Sequence, residues 1–334
     1  MKIANKYLGL ILGVLVLVLL YTIQIYLPAN DNGLEQTFII QKGDSVSKIA
    51  ANLKKVDLIR NDFLFKIYVE LEGARANLKS GRYILSPTMS LSRIAQKIIK
   101  GDTNDLSITI IEGWDKYDIA NYLENQNLFS RNDFLYSIND PNIESLQNLS
   151  VLQDKPITAS LEGYLFPDTY KIGNDFGAQT IINKAISNLD KKIDNQTRQD
   201  IIKQHKTIFE IITMASMIEK EVKTKADKEI VSGILWKRLR AGMPLQVDAT
   251  INYFTKKQTT DITHDDLSTD SPYNTYLHVG LPIGPISNPG LDSILAAAYP
   301  KESKYWYYLS TPDGTTIFSK TLSEHNIARA KYLK

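Results

Sequence analysis

The sequence predicts an α+β protein: a single N-terminal transmembrane helix, a small strand–helix–helix–strand module, and a larger domain mixing helices with a modest sheet. Three observations predict it. Residues 7–27 carry no charge and are dense in Leu, Val and Ile. A β-rich run, a polar turn and a helix carrying Ile-Ala recur three times between residues 38 and 123. From Thr207 onward apolar residues return at helical spacing, and the chain closes on a D-G hairpin and a last helix.

The N-terminal run is read first. A helix needs roughly 20 apolar residues to cross a hydrocarbon core of about 30 Å. Lys2 and Lys6 precede the run, and Asp31 and Glu35 follow it. Positive charge stays cytoplasmic, so residues 1–6 are expected as a cytoplasmic tail and 7–27 as a single-pass anchor in the cytoplasmic (inner) membrane. The rest of the chain is then expected on the extracytoplasmic side, with the membrane as a partner. A cleaved signal peptide would have an apolar region of about 7–15 residues ending in a small-x-small site. This run is longer and ends at Leu27-Pro28-Ala29-Asn30. Tyr21 and Tyr26 suit the outer interface.

The repeat comes next. Its first copy is Phe38-Ile39-Ile40-Gln41-Lys42-Gly43-Asp44-Ser45, leading to Ile49-Ala50 and Leu53. The second is Tyr83-Ile84-Leu85, then Ser90-Leu91-Ser92, leading to Ile94-Ala95 and Ile98. The third is Ile108-Thr109-Ile110-Ile111-Glu112-Gly113, leading to Ile119-Ala120 and Leu123. Ile at i and Leu or Ile at i+4 face one side of a helix, and the small Ala permits close packing. A further helix over 61–71 puts Phe65, Tyr68 and Val69 on an apolar side. The order from 37 to 86 is strand, helix, helix, strand, and with its G-D-S-V-S-K-I-A turn it resembles the LysM carbohydrate-binding module. That resemblance implies binding to N-acetylglucosamine polymers through a LysM-like module over 35–104. The alternative is a plain scaffold. The remaining chain, 105–334, is expected to be one catalytic domain.

Composition excludes several classes of function. A net charge of +2 with scattered Lys and Arg argues against nucleic acid. With no cysteine there are no disulfides and no thiolate chemistry. His205, His264, His278 and His325 include no H-x-x-x-H pair, and no phosphate-cradling glycine loop is visible, so neither metal nor cofactor is expected.

The run from Thr207 to Val222 carries the candidate chemistry. Ile208, Ile211, Ile212, Ala215, Ile218, Glu219 and Val222 share one helical face; Glu210, Thr213, Met217, Lys220 and Glu221 lie elsewhere. Glu219 is therefore an acid in an apolar stripe, and Glu221 sits about 200° away around the wheel. A carboxyl set against apolar groups tends to hold its proton and can act as a general acid. Ala215 and Ser216, one turn earlier, leave room for a substrate. The same spacing also fits a buried Glu paired with a cation such as Arg238 or Arg240.

The flanking elements follow from local signals. Residues 127–155 are expected as short helices and loops, and 160–170, which holds Glu162, as a fixed loop and strand. Helices are expected over 177–193, 195–204 and 227–240, the last with Ile230, Ile234, Leu235 and Leu239 inward, Thr224 as N-cap and Gly242 at C′. Gln246, Asp248 and Thr250 alternate, so an extended segment would present all three on one side. A turn into a helix capped by Asp248 reads equally well. The segment from Ser271 to Gly290 is rich in Pro and Gly and is stiff; its Tyr273 and Asn274 suit sugar faces and hydroxyls. Strands over 305–310 and 315–318 flank Pro312-Asp313-Gly314, and Ser323 is expected to cap the last helix.

Six ordered motifs resemble one family. They are L-E-G-Y-L-F-P-D-T-Y from Leu161, A-S-M-I-E-K-E-V from Ala215, W-K-R-L-R-A-G-M-P-L-Q-V-D-A-T from Trp236, S-P-Y-N-T-Y from Ser271, G-L-P-I-G-P-I-S-N-P-G from Gly280 and S-E-H-N from Ser323. The chain resembles the endolytic murein transglycosylases (MltG or YceG-like). Val247 and Ala249 stand where the family pattern has Thr and Pro. The resemblance implies a lyase that cuts between N-acetylmuramic acid and N-acetylglucosamine in peptidoglycan strands and leaves 1,6-anhydro ends, so ending strand growth. It implies Glu219 as the catalytic acid/base, with Gln246 and Asp248 near the site. Tyr273, Asn274, Ser216 and Glu162 complete the candidate substrate-binding set. Peptidoglycan synthases are the partners the resemblance suggests. Two other readings of the same residues remain open at this point: a hydrolase pairing Glu219 with Asp248 or Glu162, and a membrane-tethered glycan-binding scaffold.

Overall fold

A computed structural model describes residues 2–103, 106–139, 146, 148–172, 177–257 and 262–333. The chain runs α1 (Lys2–Tyr26), β1 (Gln36–Ile40), α2 (Val46–Lys55), α3 (Asp62–Leu71), β2 (Gly81–Leu85), α4 (Leu91–Lys100), β3 (Leu106–Thr109), α5 (Lys116–Asn125) and α6 (Arg131–Asn139). It continues with β4 (Thr169–Ile172), α7 (Ala178–Lys192), α8 (Asn195–Lys203), α9 (Ile208–Glu221), α10 (Lys225–Arg240), α11 (Asp248–Thr255), α12 (His264–Ser268) and α13 (Leu291–Ala298). The hairpin β5 (Tyr307–Ser310) and β6 (Thr316–Ser319) precedes α14 (Leu322–Tyr332). The architecture is α+β, with helices predominating and the strands in two-stranded pairs.

The Ile-Ala repeat is real and carries a common capping chemistry. Its three helices are α2, α4 and α5, and the oxygens of Ser45, Ser90 and Asp115 accept the backbone N–H of Lys48, Arg93 and Asp118. Each cap satisfies a donor the first helical turn leaves unpaired. Ile49, Ala50 and Leu53, then Ile94, Ala95 and Ile98, then Ile119, Ala120 and Leu123, are all buried.

The chain divides into two compact units. The first comprises Met1–Ile108 with Lys171–Thr180. In it β1 and β2 pair antiparallel, with Phe38 opposite Tyr83, in the expected strand–helix–helix–strand order. The LysM-like assignment over 35–104 nevertheless does not stand. The core that Phe38, Phe65 and Tyr83 build takes in Ile25 of α1, outside that range, and Leu91, Ile94, Ala95 and Ile98 of α4, beyond the strand–helix–helix–strand order. This is a larger packing unit than a self-contained module of four elements. The expected boundary after residue 104 lies outside the described residues.

The single-pass anchor expected over 7–27 does not stand either: among the described residues no helix is long and apolar enough to cross a membrane. The end of α1 is used for packing within its own unit. Ile25 is buried there, and Tyr21, placed by sequence at a lipid interface, packs against the same core. The expected tail over 1–6, the inner-membrane localisation, the extracytoplasmic placement and the membrane as a partner fall with the anchor, as does the argument for synthases met at the membrane.

The second unit comprises Thr109–Tyr170 with Ile181–Lys334 and is built around α9. A capping box between Thr207 and Glu210 starts this helix, and the Asp154 carboxylate accepts the N–H of Ile208 at 2.5 Å and of Phe209 at 3.2 Å. Every residue from Ile211 to Ile218 is buried, so the one-sided stripe is too narrow a reading: Thr213 and Met217 are enclosed as well. The helices α10 and α13 pack against α9 and against each other. Gly233 of α10 lets the segment after α13 lie against this helix, since a Cβ there would meet the Lys301 carbonyl oxygen at 1.9 Å. Thr224 caps α10 as expected, and Gly242 beyond its end has φ +66°. The last helix begins earlier than expected: Thr321, not Ser323, accepts the Glu324 N–H.

Candidate active site

The chemistry converges where the C-terminal end of α9 meets the N-terminus of α13. Glu219 Oε1 and Oε2 accept from Lys228 Nζ at 3.1 and 3.2 Å. Oε2 also accepts from the Gly290 N–H at 2.9 Å and from Ser293 Oγ at 2.7 Å. The side chains of Lys228 and Glu219 are only 5% and 8% exposed. Gly290 is the N-cap residue of α13 and Ser293 lies in its first turn, so the positive end of that helix adds to the cation. The partner cation is thus Lys228. Arg238, one of the cations weighed from sequence, donates instead to the carbonyls of Trp306 and Leu245 at 2.9 and 2.8 Å.

Local folding explains each placement. Thr224 starts α10 so that Lys228 sits one turn in, its N–H bonded to the Thr224 carbonyl at 2.9 Å. The stiff loop before α13 is laid against α9 by Ser216. Ser216 Oγ accepts the Ile286 N–H at 3.0 Å and donates to the Thr213 carbonyl at 2.8 Å, and its own carbonyl accepts Ser287 Oγ at 3.0 Å. Asn288 anchors the next step, donating its N–H to the Trp114 carbonyl at 2.8 Å and accepting the Gly113 N–H on its own carbonyl at 2.9 Å. Gly290 follows two residues later with its N–H aimed at Glu219.

The other sequence-derived candidates fall into separate places. Glu162 is 1% exposed and accepts from the Lys116 N–H, from Asn288 Nδ2 at 3.1 Å and from Tyr253 OH at 3.2 Å. Burial, and then the nearby Asp115, push its carboxyl up to about 7. Tyr273 packs its ring 4.9 Å from that of Tyr253, in the same cluster. Asp248 begins α11 and accepts from Tyr276 OH. The extended reading of Gln246, Asp248 and Thr250 is therefore replaced by a turn into a helix. Gln246 is exposed with φ +54°, while Thr250 is buried and donates to the Val247 carbonyl at 2.7 Å. Asn274 is fully buried; its amide donates to the Leu267 and Thr269 carbonyls, both at 2.9 Å, and its oxygen accepts the Tyr276 N–H. Ser216 and Asn274 both spend their polar atoms inside the protein.

Glu221 lies apart from Glu219, as the wheel predicts. Its carboxyl is enclosed against Tyr308 and the Ala249 N–H, and burial followed by Asp248 pushes it up to about 7. Sequence reasoning missed Lys228, Gly290 and Ser293 as partners of Glu219. Gly290 closes one of the six motifs, but a glycine offers no side chain to flag its N–H as a donor.

Comparison with known proteins identifies the family. A model of the YceG-like family matches residues 38–331. The chain is 36% identical over 303 residues to the endolytic murein transglycosylase of Bacillus subtilis, covering 88% of this chain and 84% of that one. It is 27% identical over 332 residues to an endolytic murein transglycosylase of Streptococcus pneumoniae, covering 92% of this chain and 60% of that longer protein. A crystal structure of a YceG-like protein from Listeria monocytogenes superposes with a TM-score of 0.61 at 35% identity, covering 89% of this chain and all of that one. With a match across nearly its whole length, this chain belongs to the YceG-like family.

Proposed function

We propose that the protein is an endolytic murein transglycosylase, that it cuts glycan strands between N-acetylmuramic acid and N-acetylglucosamine, and that Glu219 is its acid/base. The catalytic work falls to the chain from residue 105 onward. The observation that carries this reading is the carboxylate of Glu219, met by three converging donors within the residues that the family model matches.

Acting from its acid form, one proton above the resting ion pair with Lys228, Glu219 gives that proton to the glycosidic oxygen as the bond from that oxygen to the muramyl C1 breaks. Lys228, the Gly290 N–H and Ser293 hold the carboxylate that this step creates. They interact more strongly with the charged product of proton transfer than with the neutral acid, which favours the transition state. The muramyl ring carries the positive charge as an oxocarbenium-like species. Its C6 hydroxyl then closes onto C1, and Glu219 takes that hydroxyl's proton. One C–O bond is broken and one is formed, the acid is regenerated, and no water is consumed. A single carboxyl suffices because the nucleophile belongs to the substrate and is already close.

Pairing Glu219 with Asp248 or Glu162 as a hydrolase has less support. Glu162 is sealed by three donors and cannot reach a water, and Asp248 is engaged with Tyr276. The direct test is Glu219→Gln in the full chain on uncrosslinked strands. Strand cutting is expected to fall to background in a chain that still folds, with a lowered melting temperature because the buried Lys228 loses its carboxylate; retained cutting would remove Glu219 from the chemistry.

A further inference from the structure

A second carboxylate shares Gly290 with Glu219, and the mechanism above makes no use of it. Glu112 is exposed, yet its side chain lies directly over the Gly290 Cα. A Cβ at 290 would stand 2.0 Å from Glu112 Oε1, 2.4 Å from Cδ and 3.0 Å from Cγ. The N–H of the same glycine donates to Glu219 Oε2. Standard bond lengths then limit the separation of the two carboxylates to about 8 Å.

The backbone fixes Glu112 in that position. The neighbouring Gly113 donates its N–H to the Asn288 carbonyl at 2.9 Å and accepts from Lys220 Nζ at 3.2 Å. A Cβ at 113 would lie 3.6 Å from Glu219 Cγ, so the segment runs along the Glu219 side chain itself. Among the described residues, nothing pairs with the Glu112 carboxylate. An unpaired charge carried over a glycine beside Glu219, on an anchored stretch of backbone, has no structural partner to account for it. Gly290 has to be glycine for this arrangement, because any side chain there would displace the carboxylate.

We propose that Glu112 is the second carboxylate of the active site, facing the reacting ring and stabilising the positive charge that develops at C1. This rests on the reading of Glu219 given above. Glu112 forms no bond and moves no proton. It acts through space: its backbone is anchored beside Glu219, so the negative charge already stands near the cation that develops when the bond breaks. The oxocarbenium-like state of glycoside cleavage is the species such a charge serves.

The test is steady-state kinetics of the full chain on uncrosslinked murein strands, with Glu112→Gln and Glu112→Asp beside the wild type. Glu112→Gln is expected to lower kcat about 10- to 100-fold, with KM within about threefold. Its melting temperature should be unchanged, and Glu112→Asp should recover part of the rate. Wild-type kcat in Glu112→Gln would overturn the proposal, as would equal loss in both variants accompanied by a lowered melting temperature. The chemistry of the wild-type product ends reports separately on the reaction class. Reducing ends would refute transglycosylation, while the rate ratio between wild type and Glu112→Gln would still decide whether Glu112 belongs to the site.

Discussion

Lys228 reaches both carboxylate oxygens of Glu219, at 3.1 and 3.2 Å, with both side chains almost sealed from solvent. A buried ion pair is costly to form, and removing one member strands the other charge. Lys228→Met is therefore expected to cost about 3 kcal/mol of unfolding free energy and to abolish strand cutting. Lys228→Arg, which keeps the charge, should retain more of both. Denaturant unfolding of the two variants measures the difference; equal stability in Lys228→Met and wild type would mean that the pair contributes nothing.

Ser216 distinguishes a structural from a substrate-binding role. Its hydroxyl and carbonyl hold the loop at Ile286 and Ser287 against α9. Ser216→Ala should cost about 1–3 kcal/mol by leaving the Ile286 N–H unpaired in the interior. KM for glycan strands should not change. A raised KM at unchanged stability would put the hydroxyl on the substrate instead.

In a helix interior, Gly→Ala ordinarily gains up to about 1 kcal/mol. At Gly233 the sign reverses, because the new Cβ would meet the Lys301 carbonyl oxygen at 1.9 Å. Gly233→Ala is expected to lose about 3 kcal/mol through forced backbone displacement. A melting temperature equal to or above that of wild type would show that the 301 segment can move away freely.

Two buried carboxyls give the protein a pH-dependent stability. Burial is the first cause for both Glu162 and Glu221, each pushed from 4.5 up to about 7. Between those values the folded state holds more protons than the unfolded chain. Their contribution is complete below about 4.5 and is lost as pH rises through about 7, with a slope of at most about 1.4 kcal/mol per pH unit for each group. Glu221→Gln cannot ionise, so its unfolding free energy should fall less than that of wild type between pH 5 and pH 8 (about one group's worth of slope). Parallel profiles for the two proteins would contradict the assignment.

What could be read from the sequence follows physical lines. The three Ile-Ala helices, the Thr224 cap and the Asp313-Gly314 turn are local signals, and each is found where it was expected. Glu219 stood out because an acid inside an apolar run is a local anomaly too. Its partners were not legible. Which cation reaches it depends on how α9 and α10 cross, and the choice fell on Lys228 while Arg238 was taken by two carbonyls. The alternation of Gln246, Asp248 and Thr250 was too short to separate a strand from a helix start, and the helix won once Thr250 found the Val247 carbonyl. At the N-terminus apolar composition pointed to lipid, but composition does not reveal that Ile25 is enclosed by its own unit.

The most direct test of the central claim is mass spectrometry of uncrosslinked murein strands digested by the full chain, beside the Glu219→Gln variant. Products ending in 1,6-anhydro-muramyl groups are expected with the wild type and none with the variant. Reducing muramyl ends from the wild type, or anhydro ends from the variant, would contradict it.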